Sequence, residues 1–184
     1  FDSPKDVKGT ATLTFTHKLD PDDQWLYLPA LKRVKRITSD NRSGSFVGSE
    51  FAYEDLGSQE LEKYKDRKYL RKEACPNNND LECHVISRVP TEKSSGYKYQ
   101  VLWLDDTAAH KVWKIDYFDR KGSHLKTLFF DDYKIYLDKH WRPSVYKMIN
   151  HQTGKSTDLL VQNIRFKVGL SSRDFNPKSL SRAR

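Results

Sequence analysis

The sequence predicts a mainly-β protein built on a curved antiparallel sheet, and three observations lead to that prediction. Apolar and polar residues alternate in short segments along the chain, as in strands that bury one face. Turn signals separate these segments, and residues 119–122 and 151–154 each end in a glycine that suits a tight hairpin. Helix signals are sparse, which favours an up-and-down sheet over alternating strands and helices.

Taken in order, the alternation predicts the following strands. They are residues 7–15, 24–31, 34–37, 69–75, 81–89, 97–105, 111–119, 125–137, 141–150 and 157–168. Short helical turns are predicted at 49–56, before Gly57, and at 58–61 and 174–180. Because the chain shows no internal repeat and no low-complexity run, residues 1–184 are expected to form one domain.

Two neighbouring segments carry an aromatic face. The residues predicted to share it are Tyr97, Tyr99, Val101 and Trp103 in the first segment and Trp113, Ile115 and Tyr117 in the second. An aromatic face on a curved sheet either fills a core or lines a ligand cavity. The residues alone leave both interpretations open.

The charge balance favours anionic partners without choosing among them. Lys and Arg number 33 against 25 Asp and Glu, which gives a formal net charge of +8. Nucleic acid, acidic lipid headgroups and acidic protein surfaces all suit this charge, and so does a solvated outer face of the sheet. The local basic cluster consists of Lys32, Arg33, Lys35 and Arg36.

The two cysteines indicate a compartment. Cys75 and Cys83 flank a turn-rich run between two predicted strands, where a hairpin brings them close enough for a disulfide. A disulfide predicts a secreted or periplasmic protein, whereas two free thiols would suit a reducing compartment.

Sequence motifs for catalysis, metal binding and nucleotide binding are either incomplete or absent. Residues 154–156 match the end of a phosphate-binding loop, but that loop needs a glycine where this chain has Ile149. The six histidines never occur at metal-site spacing, and no nucleophile elbow is present. We therefore expect no enzyme activity, no metal and no cofactor.

Residues 24–56 form the most unusual segment. A dense apolar strand ends at Pro29, a basic strand follows, and a Ser/Gly loop with Phe46 leads to a short helix with Phe51 and Tyr53. Such a loop and helix fold over one end of a sheet. They act either as a plug in the core or as a mobile lid over an apolar cavity.

The strings WLYLPALKRVKRI (25–37) and GSEFAYEDL (48–56) are similar to those of the LolA-like outer-membrane lipoprotein-sorting proteins, and later segments match in order. The resemblance spans nearly the whole chain. It implies an incomplete, half-open β-barrel with lid helices around an apolar cavity. In that family a leader, an N-terminal helix and further strands precede the segment matching 4–10, so this chain is expected to be a fragment lacking them, exported to the periplasm.

The resemblance implies a carrier that binds the acyl chains of a lipid or lipoprotein and moves them toward the outer membrane. The residues predicted for cavity and lid are Trp25, Tyr27, Leu28, Phe46, Phe51, Tyr53, Val101, Trp103, Trp113 and Ile115. The alternative is an interaction module that docks on an RND-type exporter or inner-membrane complex through the basic strand. Transient contact with a membrane surface fits the charge. A nucleic-acid-binding barrel is the least favoured binding hypothesis, and we expect no nucleic-acid partner.

Overall fold

The computed structural model describes residues 1–182, which fold into antiparallel β-structure. The strands are β1 (Ala11–Phe15), β2 (Asp23–Leu28), β3 (Arg33–Ile37), β4 (Tyr64–Cys75), β5 (Asn78–Pro90), β6 (Tyr97–Asp105), β7 (Val112–Asp119), β8 (His124–Tyr136), β9 (His140–Asn150) and β10 (Ser156–Leu160). They form a three-stranded sheet, β1-β2-β3, and a seven-stranded sheet in the order β10-β9-β8-β7-β6-β5-β4. In the described residues neither sheet closes into a barrel, so the predicted half-open antiparallel architecture is confirmed.

The helical structure consists of short 3₁₀ turns. They are Pro29–Leu31, Ser39–Asn41, Tyr53–Leu56, Leu61–Lys63, Ser172–Asp174 and Pro177–Arg182. The helix predicted at 49–56 is therefore shorter than expected. The reason is local: Phe46 N–H donates to the carbonyl of Phe51 at 2.7 Å, and Ser45 forms a β-bridge with Ala52, so the loop bonds across itself.

Most strand predictions are confirmed, and β6 has the predicted bounds. The largest differences lie at the edges of the seven-stranded sheet. β4 begins at Tyr64, before the predicted residue 69, because its exposed basic residues hide the alternation. β10 ends at Leu160 instead of residue 168, and the next amide, on Val161, donates to the carbonyl of Ser144.

The seven-stranded sheet has two apolar faces. The inner face packs against the three-stranded sheet and against residues 44–63, which we call the covering segment. Its buried members are Tyr97, Leu102, Ile115, Tyr117, Leu128 and Met148, and they join Leu26, Ile37, Phe46 and Phe51 in one cluster. The outer face carries a second cluster made of Cys75, Cys83, Val85, Val101, Trp103 and Trp113.

β-bulges decide which residues reach each face. Trp103 pairs with Lys114 and Leu104 pairs with Val112, so Trp113 is an extra residue between the two pairs. A bulge shifts the alternation by one position, which turns Trp113 to the outer face while Ile115 stays on the inner face. The predicted grouping of Trp113 with Ile115 is therefore wrong.

A second irregularity in β6 separates Tyr97 from Tyr99. Tyr97 pairs with Asp119, and Tyr99 pairs with Phe118, so one residue of β6 between them has no matching partner. As a result Tyr97 packs in the inner cluster and Tyr99 in the outer one. The predicted common face of 97, 99, 101 and 103 holds only for the last three residues.

The hairpin of β4 and β5 contains the predicted disulfide. Cys75 and Cys83 are bonded, with their Cα atoms 4.9 Å apart, and both side chains are buried. In residues 1–182 no helix has the length and apolar character needed to cross a membrane.

Candidate functional site

A cavity of about 500 Å³ lies on the inner face of the seven-stranded sheet. Its apolar lining comes from five consecutive strands, β5 to β9. The main apolar residues are Ile86, Leu102, Leu104, Val112, Ile115, Phe130, Tyr133, Pro143 and Tyr146. The volume falls in the range of small-molecule binding sites, roughly 300–1,000 Å³.

A second cavity, of about 350 Å³, continues from the first beneath the covering segment. Four residues line both cavities: Gln59, Ile115, Phe130 and Tyr146. Phe51, Leu56 and Gly57 of the covering segment bound the second cavity from above, and the sheet bounds it from below. The two cavities therefore adjoin at the four shared residues, and together we call them the inner groove.

Arg88 is the most unusual residue in the inner groove. It is 6% exposed and lines the larger cavity together with apolar side chains. Its Nε donates to Oε1 of Gln100 at 2.8 Å, one Nη donates to Oε1 of Gln59, and the guanidinium lies 3.4 Å from the ring centroid of Tyr64. Burial lowers the pKa of Arg88 from its ordinary value, because desolvation disfavours the charged form.

A more polar cavity of about 320 Å³ adjoins the inner groove at Gln59. Its buried cations already have counter-ions. Arg42 lies 2.6 Å from the Glu92 carboxylate, and Lys63 forms a close ion pair with Asp22. The cations Arg42 and Lys63 of this cavity are therefore paired with carboxylates.

The covering segment is held to the sheet by buried polar contacts. Asp55 forms an ion pair with Lys126 at 2.7 Å and accepts a hydrogen bond from the Tyr97 hydroxyl at 2.6 Å. Lys126 also donates to the carbonyl of Glu50 at 2.9 Å. Because the Asp55 and Lys126 side chains are 0% and 5% exposed, removing either partner leaves the other buried and unpaired.

Glu54, which is half-buried, is the second hydrogen-bonded acid of the covering segment. It accepts hydrogen bonds from the Ser95 hydroxyl at 2.7 Å and the Gly96 amide at 2.8 Å. Burial raises the pKa of Glu54, and the neighbouring Asp55 raises it further, although the two hydrogen bonds oppose this change. Burial likewise raises the pKa of the Tyr97 phenol well above its ordinary value.

The structure brings only some of the predicted site residues to the inner groove. Ile115 lines both cavities, and Phe51 lines the smaller one. Phe46 is buried beside the groove, with its ring centroid 5.5 Å from that of Tyr53, and Leu28 packs against the same inner cluster.

The other predicted cavity residues lie elsewhere. Val101, Trp103 and Trp113 belong to the outer cluster, where the disulfide fills the space beside them. Trp25 alternates with the buried Leu26 and packs against Phe15, with 5.1 Å between ring centroids. The remaining residue, Tyr27, occupies the same phase of β2 as Trp25 and is half-buried.

Sequence reasoning missed Arg88, Gln59 and Tyr146. One signal for Arg88 was present: it follows Ile86 by two residues in β5 and so shares its face. Gln59 and Tyr146 carry no comparable signal, because their roles depend on how the covering segment and β9 meet.

The predicted docking residues form an exposed edge. β3 is an edge strand of the three-stranded sheet, and Lys32, Arg33, Lys35 and Arg36 all face solvent. Arg36 forms an ion pair with Asp23 on β2. Charged side chains on an edge strand also discourage pairing with other chains, so this cluster has a structural use as well.

No group of three or more His, Cys, Asp and Glu residues within 1–182 is arranged to hold a metal ion.

The fold and the groove define a class of protein: an open antiparallel sheet with an apolar cavity on its inner face. A family model with the description "Uncharacterized protein" matches residues 1–182. The chain is 54% identical to a candidate outer membrane lipoprotein-sorting protein domain from Vibrio parahaemolyticus, with a TM-score of 0.90, covering 98% of this chain and 75% of that one. The chain belongs to the family of outer-membrane lipoprotein-sorting proteins, and its fold is LolA-like.

Two further solved structures share the fold. A DUF1329 family protein from Desulfovibrio piger is 29% identical, with a TM-score of 0.86 over 98% of this chain and 74% of that chain. A LolA superfamily protein from Nitrosomonas europaea is 18% identical, with a TM-score of 0.60 over 94% and 74% of the two chains, and it supports the fold alone. No curated protein matches the sequence.

Proposed function

We propose that this protein is a non-catalytic periplasmic carrier that binds the acyl chains of a lipid or lipoprotein in the inner groove and moves them toward the outer membrane. The observation that carries the proposal is the largely apolar inner groove, formed by adjoining cavities of about 500 and 350 Å³. The lipoprotein-sorting name of the relative from Vibrio parahaemolyticus supports the kind of cargo. The Cys75–Cys83 disulfide suits an oxidising compartment.

The energetics of such a carrier are favourable. Each methylene transferred from water into an apolar site contributes about 0.8 kcal/mol, so a chain of about 14 carbons offers about 11 kcal/mol before ordering costs. Release then requires a change in the groove. The covering segment is the natural element for that change, since the Asp55–Lys126 ion pair holds it to the sheet.

The test compares two tryptophan substitutions on opposite faces of β6. Leu104→Trp places a large ring in the groove at a half-buried position, whereas Tyr99→Trp changes the outer face. Native mass spectrometry after incubation with palmitate-containing lipids is expected to show a stoichiometric adduct for the wild type and Tyr99→Trp. Leu104→Trp should retain less than about a tenth of it. A wild type without an adduct, or an unaffected Leu104→Trp, would refute the carrier function.

The basic edge supports a second candidate function, docking of a protein partner such as an inner-membrane exporter. The supporting observation is the exposed cluster of Lys32, Arg33 and Lys35 on the edge strand. Charge reversal at these three positions should abolish co-purification of the partner without changing lipid uptake. Unchanged co-purification would exclude this surface.

A further inference from the structure

The larger cavity of the inner groove contains positive charge without a matching negative charge. Arg67, Arg88 and Arg142 all line the larger cavity, and its lining includes no carboxylate. None of these three arginines forms an ion pair within residues 1–182, in contrast to Arg42 and Lys63 of the adjoining polar cavity.

Arg88 is the buried member of the three. Its hydrogen-bond acceptors are two neutral amides, Gln100 and Gln59, and its guanidinium stacks on the Tyr64 ring. A buried cation without a counter-ion is costly in a folded protein. A guanidinium carries five N–H donors, so Arg88 keeps donors for a ligand after these two bonds.

Arg67 and Arg142 are exposed at the rim of the same cavity. Arg67 donates to the carbonyl of Leu61 at 3.3 Å, and Arg142 donates to the carbonyl of Trp141 at 2.8 Å. Both side chains therefore have neutral hydrogen-bond acceptors, and neither forms an ion pair with a carboxylate of the described chain. Guanidinium groups bind phosphate and carboxylate through paired, charge-assisted hydrogen bonds.

We propose that the ligand of the inner groove is an anionic amphiphile, whose apolar chain fills the groove and whose phosphate or carboxylate headgroup binds Arg88, with Arg67 and Arg142 at the rim. This inference rests on the proposed carrier function and names the chemical class of its cargo. Arg88 binds the negatively charged headgroup, and the apolar lining provides the affinity for the apolar chain. Gln59 connects the headgroup site with the apolar lining, since it accepts a hydrogen bond from Arg88 and lines both cavities.

The test measures displacement of an apolar fluorescent probe from the whole chain by two ligands with the same palmitoyl chain, below their micelle concentrations. One is lysophosphatidylglycerol, which is anionic, and the other is monopalmitoylglycerol, which is uncharged. The wild type is expected to bind the anionic ligand about tenfold tighter, as charge-assisted hydrogen bonds allow. Inorganic phosphate alone should displace no probe.

Arg88→Gln is expected to remove this preference, because the anionic ligand loses more affinity than monopalmitoylglycerol does. The matched control is Arg71→Gln, an exposed arginine on the outer side beside Trp103, which should keep the preference. Should Arg88→Gln fail to fold, the exposed variants Arg67→Gln and Arg142→Gln, made together, should reduce the wild-type preference.

The outcomes separate this inference from the carrier function. Equal affinity of the wild type for both ligands overturns the headgroup assignment and leaves the carrier function standing. A variant at Arg88 that weakens both ligands equally shows a structural role and also overturns the assignment. Displacement of the probe by inorganic phosphate alone would show that binding needs no apolar chain, and would overturn the proposal that the ligand is an amphiphile. Failure of both ligands to bind the wild type overturns the carrier function itself.

Discussion

The inner and outer faces of strands β5 to β8 use similar residues but are packed differently. On the outer face, the disulfide, Val85 and the two tryptophans fill the space, and each indole has a polar partner. Trp103 donates to Glu73 at 2.7 Å, and Trp113 donates to Asp105 at 3.0 Å. On the inner face the apolar side chains leave a groove, and its buried cation has only neutral partners.

Asp105 on the outer face and Glu54 in the covering segment differ in the direction of their pKa changes. Burial alone would raise the pKa of Asp105, but hydrogen bonds from Thr107, Trp113 and the Lys111 amide outweigh it and lower the pKa. On the inner side, burial dominates and raises the pKa of Glu54. The two indoles of the outer face thus donate to carboxylates, whereas the buried cation of the inner groove has only neutral partners, as is common at a binding site.

The largest effect should come from the outer face. Trp113→Ala removes a 7%-exposed indole and leaves Asp105 with one fewer donor, so we expect a loss of about 3–5 kcal/mol in unfolding free energy. Urea denaturation followed by circular dichroism measures it. A loss below about 1 kcal/mol would show that the outer cluster is not the main support of the sheet.

Removal of the disulfide should have the next largest effect. Replacing Cys75 and Cys83 by serine is expected to cost about 2–4 kcal/mol, mainly because the unfolded chain gains freedom. Thermal unfolding with and without reductant checks this, since reductant should destabilise the wild type and leave the double variant unchanged. Equal sensitivity of both proteins would contradict the prediction.

Replacing one valine on each face by phenylalanine compares the packing of the two faces directly. Val85→Phe inserts a ring into a fully buried outer position and should cost about 1–3 kcal/mol. Val112→Phe inserts the same ring into the groove, where a cavity of about 500 Å³ receives it, so the cost should stay below about 1 kcal/mol. Chemical denaturation of both variants measures the difference, and equal costs would mean that the groove is filled in solution.

The smallest effect concerns pH. Because the pKa of Glu54 is raised from its ordinary 4.5, the folded protein holds this proton more tightly than the unfolded chain. The resulting stabilisation is complete below the ordinary pKa and is lost as pH rises through the folded-state value. The stability of the wild type relative to Glu54→Gln should therefore fall with rising pH. Unfolding curves of both proteins measured across this pH range test the prediction. A stability advantage of the wild type that grows with rising pH would contradict it.

Asp105 should show the opposite pH dependence. Its pKa is lowered below the ordinary 3.8, so its contribution is present above that value and is lost as pH falls through the folded-state pKa. The advantage of the wild type over Asp105→Asn should therefore shrink on acidification. This variant serves as the control for Glu54→Gln, since one difference falls as pH rises and the other falls as pH drops.

Local pattern was sufficient to predict the sheet. Period-two alternation predicted β6 with the bounds that the structure shows, and the turn-rich run between Cys75 and Cys83 predicted their disulfide. The covering segment was recognised from its aromatic residues, although its 3₁₀ turn Tyr53–Leu56 is shorter than the predicted helix. These features depend on residues close together in sequence, which is why the sequence carries them.

The candidate site was harder to predict because it depends on phase and on distant contacts. The bulge at Trp113 turns that indole to the outer face, and the irregularity between Tyr97 and Tyr99 places Val101 and Trp103 on the face opposite Tyr97. Alternation alone reveals neither irregularity, so all three residues were expected at the groove. Arg88 was missed because its importance comes from the absence of a nearby carboxylate, a property of the assembled cavity.

The two free edges of the seven-stranded sheet have a mechanical consequence. β4 and β10 end the sheet on opposite sides, so the backbone hydrogen-bond ladder sets no fixed separation between them. In a closed barrel, widening the lumen requires ladder bonds to break, whereas here a change in sheet curvature is enough. The width of the groove is thus compliant, which under the proposed carrier function allows ligands of different girth at the expense of side-chain contacts alone.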